Sequence, residues 1–354
     1  MSRARDFADL AGSADAGGLT GRNLIINGGM AFAEHGTSAS LVHDGTISAF
    51  AADRFQMQLN NTLDELEGTL AQVTDSPDGF ANSLKWTTTE PEGAIDADHY
   101  VSIWQKIEAA NLQHLKNGSS DALSTTLSFH VKSSQTGTFG VNLYKPDNTG
   151  RVINATYSIS SADTWEYKTI TFPGDTSGGG IDNNTGIGFY CVWHLAAGSN
   201  FDSVNSTSWA NYTTTNWAGG HAQDAVITTD NATWQITGVQ FEIGERATSF
   251  EYRTDELTRC RRYYQKLVGS SYYGGFHAYT GSSSIYVQLV PKMRAAPTIT
   301  DYNVRNGSTG ATASGVSASF AGQDGFNAPI DGSGGVDTHF SHINQANMIA
   351  NAEL

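Results

Sequence analysis

The chain has 354 residues, of which 39% are hydrophobic and 10% aromatic, enough to build a core and too many for a disordered chain. At about 100–200 residues per domain, this length favours two or three folded units. The net charge is −15, which disfavours nucleic acid as a partner because a phosphate backbone would be repelled. No stretch approaches the ~20 apolar residues that span a bilayer, and the first residues lack the apolar run of a secretory signal, so we expect no membrane insertion.

The composition favours an all-β fold. Only 16% of the residues are charged, and 38 glycines accompany only 7 prolines among many Ser, Thr and Asn residues, a mixture typical of turns between short strands. The two cysteines, Cys191 and Cys260, form no CxxC motif, which argues against a disulfide scaffold and the common structural zinc sites. We expect both to be free, buried thiols.

The first 22 residues are predicted to form an anchor helix followed by a linker. Ala4, Phe7, Leu10 and Ala11 share one helical face, and a glycine-rich stretch follows up to Gly21. A single short helix is not stable alone, so it would dock on another copy of the chain or on a larger assembly. A frayed terminus is the alternative.

Residues 23–253 carry the signals of antiparallel strands. Apolar and polar residues alternate in 127–131 and 139–143, and turn-forming sequences lie between such runs. In 187–193 both parities are apolar, which predicts a central strand covered on both faces. In 234–243 the apolar parity changes at Thr237-Gly238, and a β-bulge at that glycine would keep both halves in the core.

A connecting helix is predicted over 254–269. Thr254 can cap its start, and Leu257, Cys260, Tyr264 and Leu267 follow the spacing of one helical face. Residues 270–354 return to short alternating runs, including 285–289, and predict a second, small β domain.

Several segments resemble, in the same order, the carbohydrate-binding-module-like domain of bacteriophage virion proteins, especially tail fibres. They span about residues 23–267: 23–30 (NLIINGGM), 52–55 (ADRF), 74–85 (TDSPDGFANSLK), 127–133 (LSFHVKS), 164–172 (TWEYKTITF), 195–201 (LAAGSNF), 234–244 (WQITGVQFEIG), 247–253 (ATSFEYR) and 260–265 (CRRYYQ). The resemblance implies a jelly-roll β-sandwich. After the predicted short helix, segments 291–298 (PKMRAAPT) and 352–354 (AEL) resemble the second, small β-sandwich that often closes such chains.

The resemblance also implies a location in the virion, with assembly in the host cytoplasm. The expected function is non-enzymatic: a tail fibre or similar appendage that recognises host surface glycans, forms a homotrimer and contacts other virion proteins through its N-terminal segment. The helical stripe at Leu257, Cys260, Tyr264 and Leu267 could line the threefold axis. A head fibre or decoration protein, and an enzyme that degrades surface polysaccharide, are the alternatives.

Two aromatic clusters are candidate glycan-binding surfaces, because sugar faces stack on aromatic rings. Trp209, Tyr212 and Trp217 lie among amides and hydroxyls in 208–217, a stretch without strand alternation. The same stretch also fits a loop folded back over the sandwich with its rings packed inward. Tyr272 and Tyr273 belong to the second cluster, which suits a receptor or an intersubunit contact. Trp165 and Trp234, at the starts of strands, are expected in the core.

Neither a catalytic motif nor a cofactor is predicted. The GxSxG, HExxH, GxxxxGK[ST] and GxGxxG motifs are missing from the sequence. Asp75 with Asp78, and Asp96 with Asp98, could ligate structural calcium, but solvated turn carboxylates explain them as well. His339 and His342 could share a metal if their segment were helical or if the pair were repeated around a symmetry axis, although the Gly and Ser residues just upstream favour a loop.

Overall fold

The computed structural model describes residues 21–45, 47–60, 62–267, 283–300, 319–330 and 348–354. The chain divides into two compact units, Met1–Thr254 and Asp255–Leu354. Among the described residues, no helix has both the length and the apolar character that crossing a membrane requires. The predicted N-terminal helix, Tyr272 and Tyr273, and the pair His339 and His342 all lie outside the described residues.

The described part of the first unit is built almost entirely from short antiparallel strands. Their bounds are β1 Ser38–Val42, β2 Ser48–Ala52, β3 Phe55–Leu59, β4 Glu67–Val73, β5 Ser83–Glu90, β6 Tyr100–Glu108, β7 Thr125–Ser133, β8 Gly137–Lys145, β9 Arg151–Ile159, β10 Glu166–Phe172, β11 Ile187–Ala197, β12 Ala210–Asn211 and β13 Thr233–Ile243. Short helices interrupt them: 3₁₀ turns at Ala109–Leu115 and Thr214–Asn216, α1 at Ser199–Asp202 and α2 at Ala225–Thr228.

These strands form a β-sandwich, which confirms the all-β prediction. A six-stranded sheet has the order β1-β4-β5-β13-β7-β10, and a seven-stranded sheet has the order β12-β9-β8-β11-β6-β3-β2. One continuous core joins the inner faces of both sheets, since apolar residues alternate with polar ones along most strands. Its largest fully buried side chains include Trp86 and Trp234 from the first sheet and Phe139, Phe189 and Trp193 from the second.

The two strand predictions with the most specific patterns are confirmed. β11 is the central strand of the seven-stranded sheet and is buried on both sides, with Trp193 in the core and Val192 in a separate cluster on the outward side. In β13 the register against β7 shifts between Thr237 and Gln240. Gly238 has φ 62° there, a left-handed conformation that glycine adopts without steric cost.

The segment 23–30 closes the sandwich at this bulge. The Asn23 side chain accepts hydrogen bonds from the N–H groups of Ile25 and Phe241, both at 3.0 Å, and donates to the carbonyl of Val239. A Cβ on Gly28 would lie 2.0 Å from that same Val239 carbonyl oxygen, so only glycine fits. Hydrogen bonding of Asn23 and close packing of Gly28 therefore explain the residue types at two positions of the segment 23–30.

The second unit, in its described part, contains two three-stranded antiparallel sheets. The bounds are α3 Glu256–Arg261, β14 Tyr264–Leu267, β15 Ser283–Gln288, β16 Thr298–Thr300, β17 Ser319–Gly322, β18 Gly325–Ile330 and β19 Met348–Asn351. One sheet has the order β14-β19-β16 and the other the order β15-β18-β17.

The predicted connecting helix over 254–269 is wrong in its second half. The helix α3 ends at Arg261, and the next residues form β14, which pairs with β19 from Tyr264 opposite Asn351 to Leu267 opposite Met348. This distant strand supplies the backbone hydrogen bonds that a helix would have made locally. Leu257 and Leu267 consequently do not share a helical face, so the predicted coiled-coil stripe does not exist. Thr254 does not cap the helix, because Asp255 occupies the N-cap position.

Candidate functional site

Two neighbouring rows of side chains cross the outward side of the seven-stranded sheet. In one row Lys106, Tyr190 and Tyr144 lie directly opposite one another on β6, β11 and β8. In the next row Trp104 of β6 lies opposite Val192 of β11. Successive side chains along a strand point to opposite sides of the sheet. Because Trp193 of β11 points into the core, Val192 and Tyr190 point away from it, and so do the residues opposite them in both rows. A large aromatic surface therefore covers the middle of this sheet.

Five rings form this surface, which we call the aromatic face: Trp104, Tyr144, Tyr190, Tyr212 and Trp217. Tyr144 is the hub, because its ring centroid lies 5.5 Å from Tyr190, 4.7 Å from Tyr212 and 5.6 Å from Trp217. Trp104 contacts Tyr190 and Trp217 edge to face. Tyr212 is 36% exposed, Tyr144 and Tyr190 are half-buried, and the two tryptophans are nearly buried. The tyrosines are thus the rings that a ligand can reach.

The connection between β11 and β13, residues 198–232, brings Tyr212 and Trp217 onto this surface. Its backbone is held by side chains of the sheet: Asn142 of β8 donates to the carbonyl of Trp217, and Asn154 of β9 donates to the carbonyl of Asn216 at 3.0 Å. Two strand asparagines thereby fix the connection in place across the sheet.

A buried ionic cluster anchors the connection a few residues earlier, at Trp209 and Asn211. Asp175 accepts hydrogen bonds from Arg151 at 3.1 and 3.3 Å, and Lys145 lies 3.5 Å away. The same Arg151 guanidinium donates to the backbone carbonyl of Trp209 and to the side chain of Asn211. Since buried charges are tolerated only when paired and hydrogen-bonded, this cluster fixes the backbone just before Tyr212.

The aromatic face presents hydroxyl groups that stay protonated at neutral pH. Burial raises the pKa of Tyr144, and burial together with the neighbouring Tyr144 raises the pKa of both Tyr190 and Tyr212. The ammonium group of Lys106 lies 5.7 Å from the Trp104 ring and 5.6 Å from the Tyr190 ring, within cation–π range. The surface therefore offers ring faces beside phenolic donors and acceptors, the combination that binds sugars.

A buried histidine lies beneath the connection. His194 of β11 is hydrogen-bonded through Nδ1 to the Ser102 hydroxyl at 2.9 Å, and its ring packs 5.8 Å from Trp217. Burial holds the pKa of His194 well below its ordinary value, and the nearby His221 lowers it further. The ring is therefore neutral at physiological pH.

The three predicted residues of the 208–217 loop do not lie on one surface. Tyr212 and Trp217 join the aromatic face, whereas Trp209 packs inward against Phe189 at 5.9 Å and donates from Nε1 to the Pro173 carbonyl. The loop is thus folded back over the sandwich and still leaves Tyr212 exposed.

Sequence reasoning missed Trp104, Tyr144 and Tyr190. Their signal was the presence of large apolar residues at strand positions that alternation assigns to the outward side. Tyr190 and Val192 occupy such positions in β11, and Tyr144 occupies one in β8. That signal shows a second covered face, but the pairing of distant strands is needed to bring the three rings together.

Trp165, expected in the core, is also placed differently. It precedes β10, is half-buried, and stacks beneath the Lys132 ammonium group, which lies 5.3 Å from its ring. Trp234 is fully buried, as predicted.

One carboxylate of each candidate calcium pair has another neighbour in the structure. Asp75 pairs with Lys132, whose hydrogen bond lowers the pKa of that carboxyl. Asp96 instead groups with Asp64 and His99, whose ligand atoms lie within 4.8 Å of one another. Exposed acidic groups gather in this way without an ion, so the arrangement permits a cation but does not require one.

Comparison with known proteins gives structural neighbours only. No family model matches the chain, and no curated protein matches it. A putative sugar-binding protein from Bacteroides thetaiotaomicron is similar with a TM-score of 0.34 and 12% identity, over 63% of this chain and 100% of that one. The family 11 carbohydrate-binding module from Clostridium thermocellum gives 0.29 and 10%, over 61% and 99%.

A phage protein is also among the neighbours. The enzymatically active domain of tailspike protein 4 from bacteriophage CBA120 is similar with a TM-score of 0.33 and 10% identity, over 63% of this chain but only 21% of that one. At such scores and identities the likenesses carry no argument about function.

Proposed function

We propose that this protein is a non-catalytic glycan-binding protein and that the aromatic face is its binding surface. The supporting observation is the arrangement of Tyr144, Tyr190 and Tyr212, three tyrosines around one hub on the outward side of a sheet whose inner side already supplies the core. The three tyrosines lie outside the main core, and only the two tryptophans of the aromatic face are buried in the smaller cluster on this side. The tyrosines offer flat apolar surface and hydroxyl groups to a sugar.

The function is tested by electrophoresis of the purified protein in gels that contain neutral soluble polysaccharides: mixed-linkage β-glucan, xylan, galactomannan and dextran. At least one of them should retard the wild-type protein. Tyr144→Ala and Tyr190→Ala should each weaken binding about fivefold, the equivalent of about 1 kcal/mol for one stacked ring. Tyr144→Phe, which keeps the ring and removes the hydroxyl, should lose less.

The matched control is Tyr167→Ala, which removes a half-exposed tyrosine from the other sheet. It should leave retardation by neutral polysaccharides unchanged. Circular dichroism and thermal unfolding establish that each variant is folded. Retardation by none of the polysaccharides, or equal binding by wild type and a folded Tyr144→Ala–Tyr190→Ala variant, would contradict the proposal. Release of reducing ends from a bound polysaccharide would refute the absence of catalysis.

We further propose that the protein is a homotrimeric tail fibre or similar appendage of a phage virion and recognises host surface glycans. The ordered resemblance of residues 23–267 to such proteins supports this. Because the helical stripe does not exist, trimerisation would have to use other surfaces. Light scattering should give three times the mass of the chain, and antibody labelling of virions should decorate the tail. A monomer at micromolar concentration would contradict the homotrimer, and labelling of the head would contradict the tail location.

A further inference from the structure

A second line of rings lies on the outward side of the six-stranded sheet. Tyr167 of β10 is directly opposite His130 of β7, with ring centroids 4.8 Å apart. Phe80 follows at 5.3 Å from His130, and Tyr252 lies 6.0 Å from Phe80. Phe250 packs beside both, at 5.0 Å from each. We call these five side chains the ring row.

The ring row is open to solvent at both ends. Tyr167 is 50% exposed and Tyr252 is 67% exposed, the two largest exposed fractions among the aromatic side chains described in the first unit. The Phe80 ring is held in place from below, because it packs over the bulge at Gly238, where an added Cβ would lie 2.6 Å from its Cζ. The row is therefore a fixed surface of rings, and exposed aromatic surface of this kind marks binding sites.

The surroundings of the ring row favour a sugar over an apolar peptide or helix. Along β10 the outward neighbours of Tyr167 are Thr169 and Thr171, which lie opposite Ser128 and Thr126 of β7. Polar side chains therefore border the rings, and no aliphatic side chain stands at these positions. The hydroxyls of Thr126 and Thr171 bond each other and the carbonyls of Gly244 and Glu245, whereas Thr169 is exposed. An apolar helix would bury the Thr169 hydroxyl, while a sugar can bond it with its own hydroxyl groups.

Two lysines share the outward face of the six-stranded sheet with the ring row, in a chain of net charge −15. Lys85 of β5 and Lys132 of β7 lie opposite the same residue, Gln235 of β13, so they are about 10 Å apart across three strands. Asp75 neutralises Lys132. Lys85 takes part in none of the ion pairs found within the described ranges. One ammonium group without an ion pair therefore stands on the same outward face as the rings, opposite Gln235 and two residues along β13 from Thr237, which faces His130.

From this combination we propose that the ring row is a second carbohydrate site, on the face opposite the aromatic face, and that it takes an anionic oligosaccharide. Sugar faces stack on Tyr167, Phe80 and Tyr252, and a carboxylate or phosphate substituent pairs with Lys85. The site does not depend on the aromatic face, which lies on the other sheet.

Isothermal titration with oligogalacturonate, which carries carboxylates, and with phosphomannan fragments, which carry phosphates, tests the proposal. At least one of them should bind the wild-type protein, and the pair distinguishes the anion. Tyr167→Ala and Tyr252→Ala should each weaken binding about fivefold. Lys85→Gln should weaken it about twofold to fivefold and should reduce its dependence on salt, as expected for an exposed charge pair.

The variant Tyr144→Ala–Tyr190→Ala separates the two sites. It should lose neutral polysaccharide and keep its affinity for the anionic ligand, so a failure of the aromatic face and a failure of the ring row give different results. Binding of neither anionic ligand to the wild-type protein would overturn the proposal. So would unchanged affinity in a folded Tyr167→Ala–Tyr252→Ala variant. Because both tyrosines are exposed, these substitutions should leave the fold intact.

Discussion

The outward faces of the two sheets differ in what covers them. On the seven-stranded sheet the connection 198–232 crosses the aromatic face, so Trp217 is only 8% exposed and packs on the sheet. On the six-stranded sheet no such connection covers Tyr167, which is 50% exposed. Rings of similar size therefore have different roles: under a connection they contribute both to stability and to a shaped surface, and without one they contribute to the surface alone.

The sharpest test of this difference compares two ring removals. Trp217→Ala should lower the free energy of unfolding by about 3 kcal/mol, because it leaves a cavity between the connection and the sheet. Tyr167→Ala should change it by less than about 0.5 kcal/mol, as for other exposed positions. Chemical denaturation measures both values. Similar losses in the two variants would show that the connection is not packed as described.

A second test asks whether the bulge supports the ring row. Gly238→Ala introduces a Cβ at positive φ and close to Phe80, and should cost about 1–3 kcal/mol of stability. Gly244 is the matched control, because it also has positive φ, 115°, but an added Cβ there meets no atom within 4 Å. Gly244→Ala should therefore strain the backbone without displacing a side chain, and should not weaken binding of the anionic oligosaccharide. Gly238→Ala should weaken that binding, and equal affinity of the two variants for the anionic oligosaccharide would refute the supporting role of the Phe80 contact.

A third test uses pH. Burial lowers the pKa of His194 under the connection, and also that of His130 in the ring row. A histidine whose folded pKa is depressed contributes stability that is complete above the unfolded pKa of about 6.5 and is lost as the pH falls below it. For His194 the loss should approach about 1.4 kcal/mol per pH unit.

Two variants show how much His194, under the connection, and His130, in the ring row, each contribute to this pH dependence of stability. His194→Gln should flatten the decline in stability at acidic pH, measured by denaturant unfolding at a series of pH values. His130→Gln, at a half-buried position, should flatten it less. A steeper contribution from His130 than from His194 would contradict the burial of His194 beneath the connection.

Local patterns in the sequence predicted the parts of the fold that local physics determines. The parity change at Thr237-Gly238 predicted the bulge, since the core requires apolar residues on one side throughout β13. Two apolar parities predicted that β11 is central and covered on both faces. The all-β class followed from composition and alternation.

Other features depend on distant pairings and could not be predicted in this way. Tyr264 to Leu267 suit a helix locally, but β19, from the end of the chain, makes them a strand. Trp104, Tyr144 and Tyr190 meet only because β6, β11 and β8 are neighbours. The Arg151–Asp175 contact that positions the connection likewise joins a strand to a loop.

The central claim, that the aromatic face binds glycan, is tested most directly by oxidative footprinting. The protein is exposed to hydroxyl radicals with and without the neutral polysaccharide that retards it most, and side-chain oxidation is measured by mass spectrometry. Binding at the aromatic face predicts protection of Tyr144, Tyr190 and Tyr212, with Tyr167 and Tyr252 oxidised as in the free protein. Protection of Tyr167 and Tyr252 alone, or an unchanged oxidation pattern at all five tyrosines, would contradict the claim.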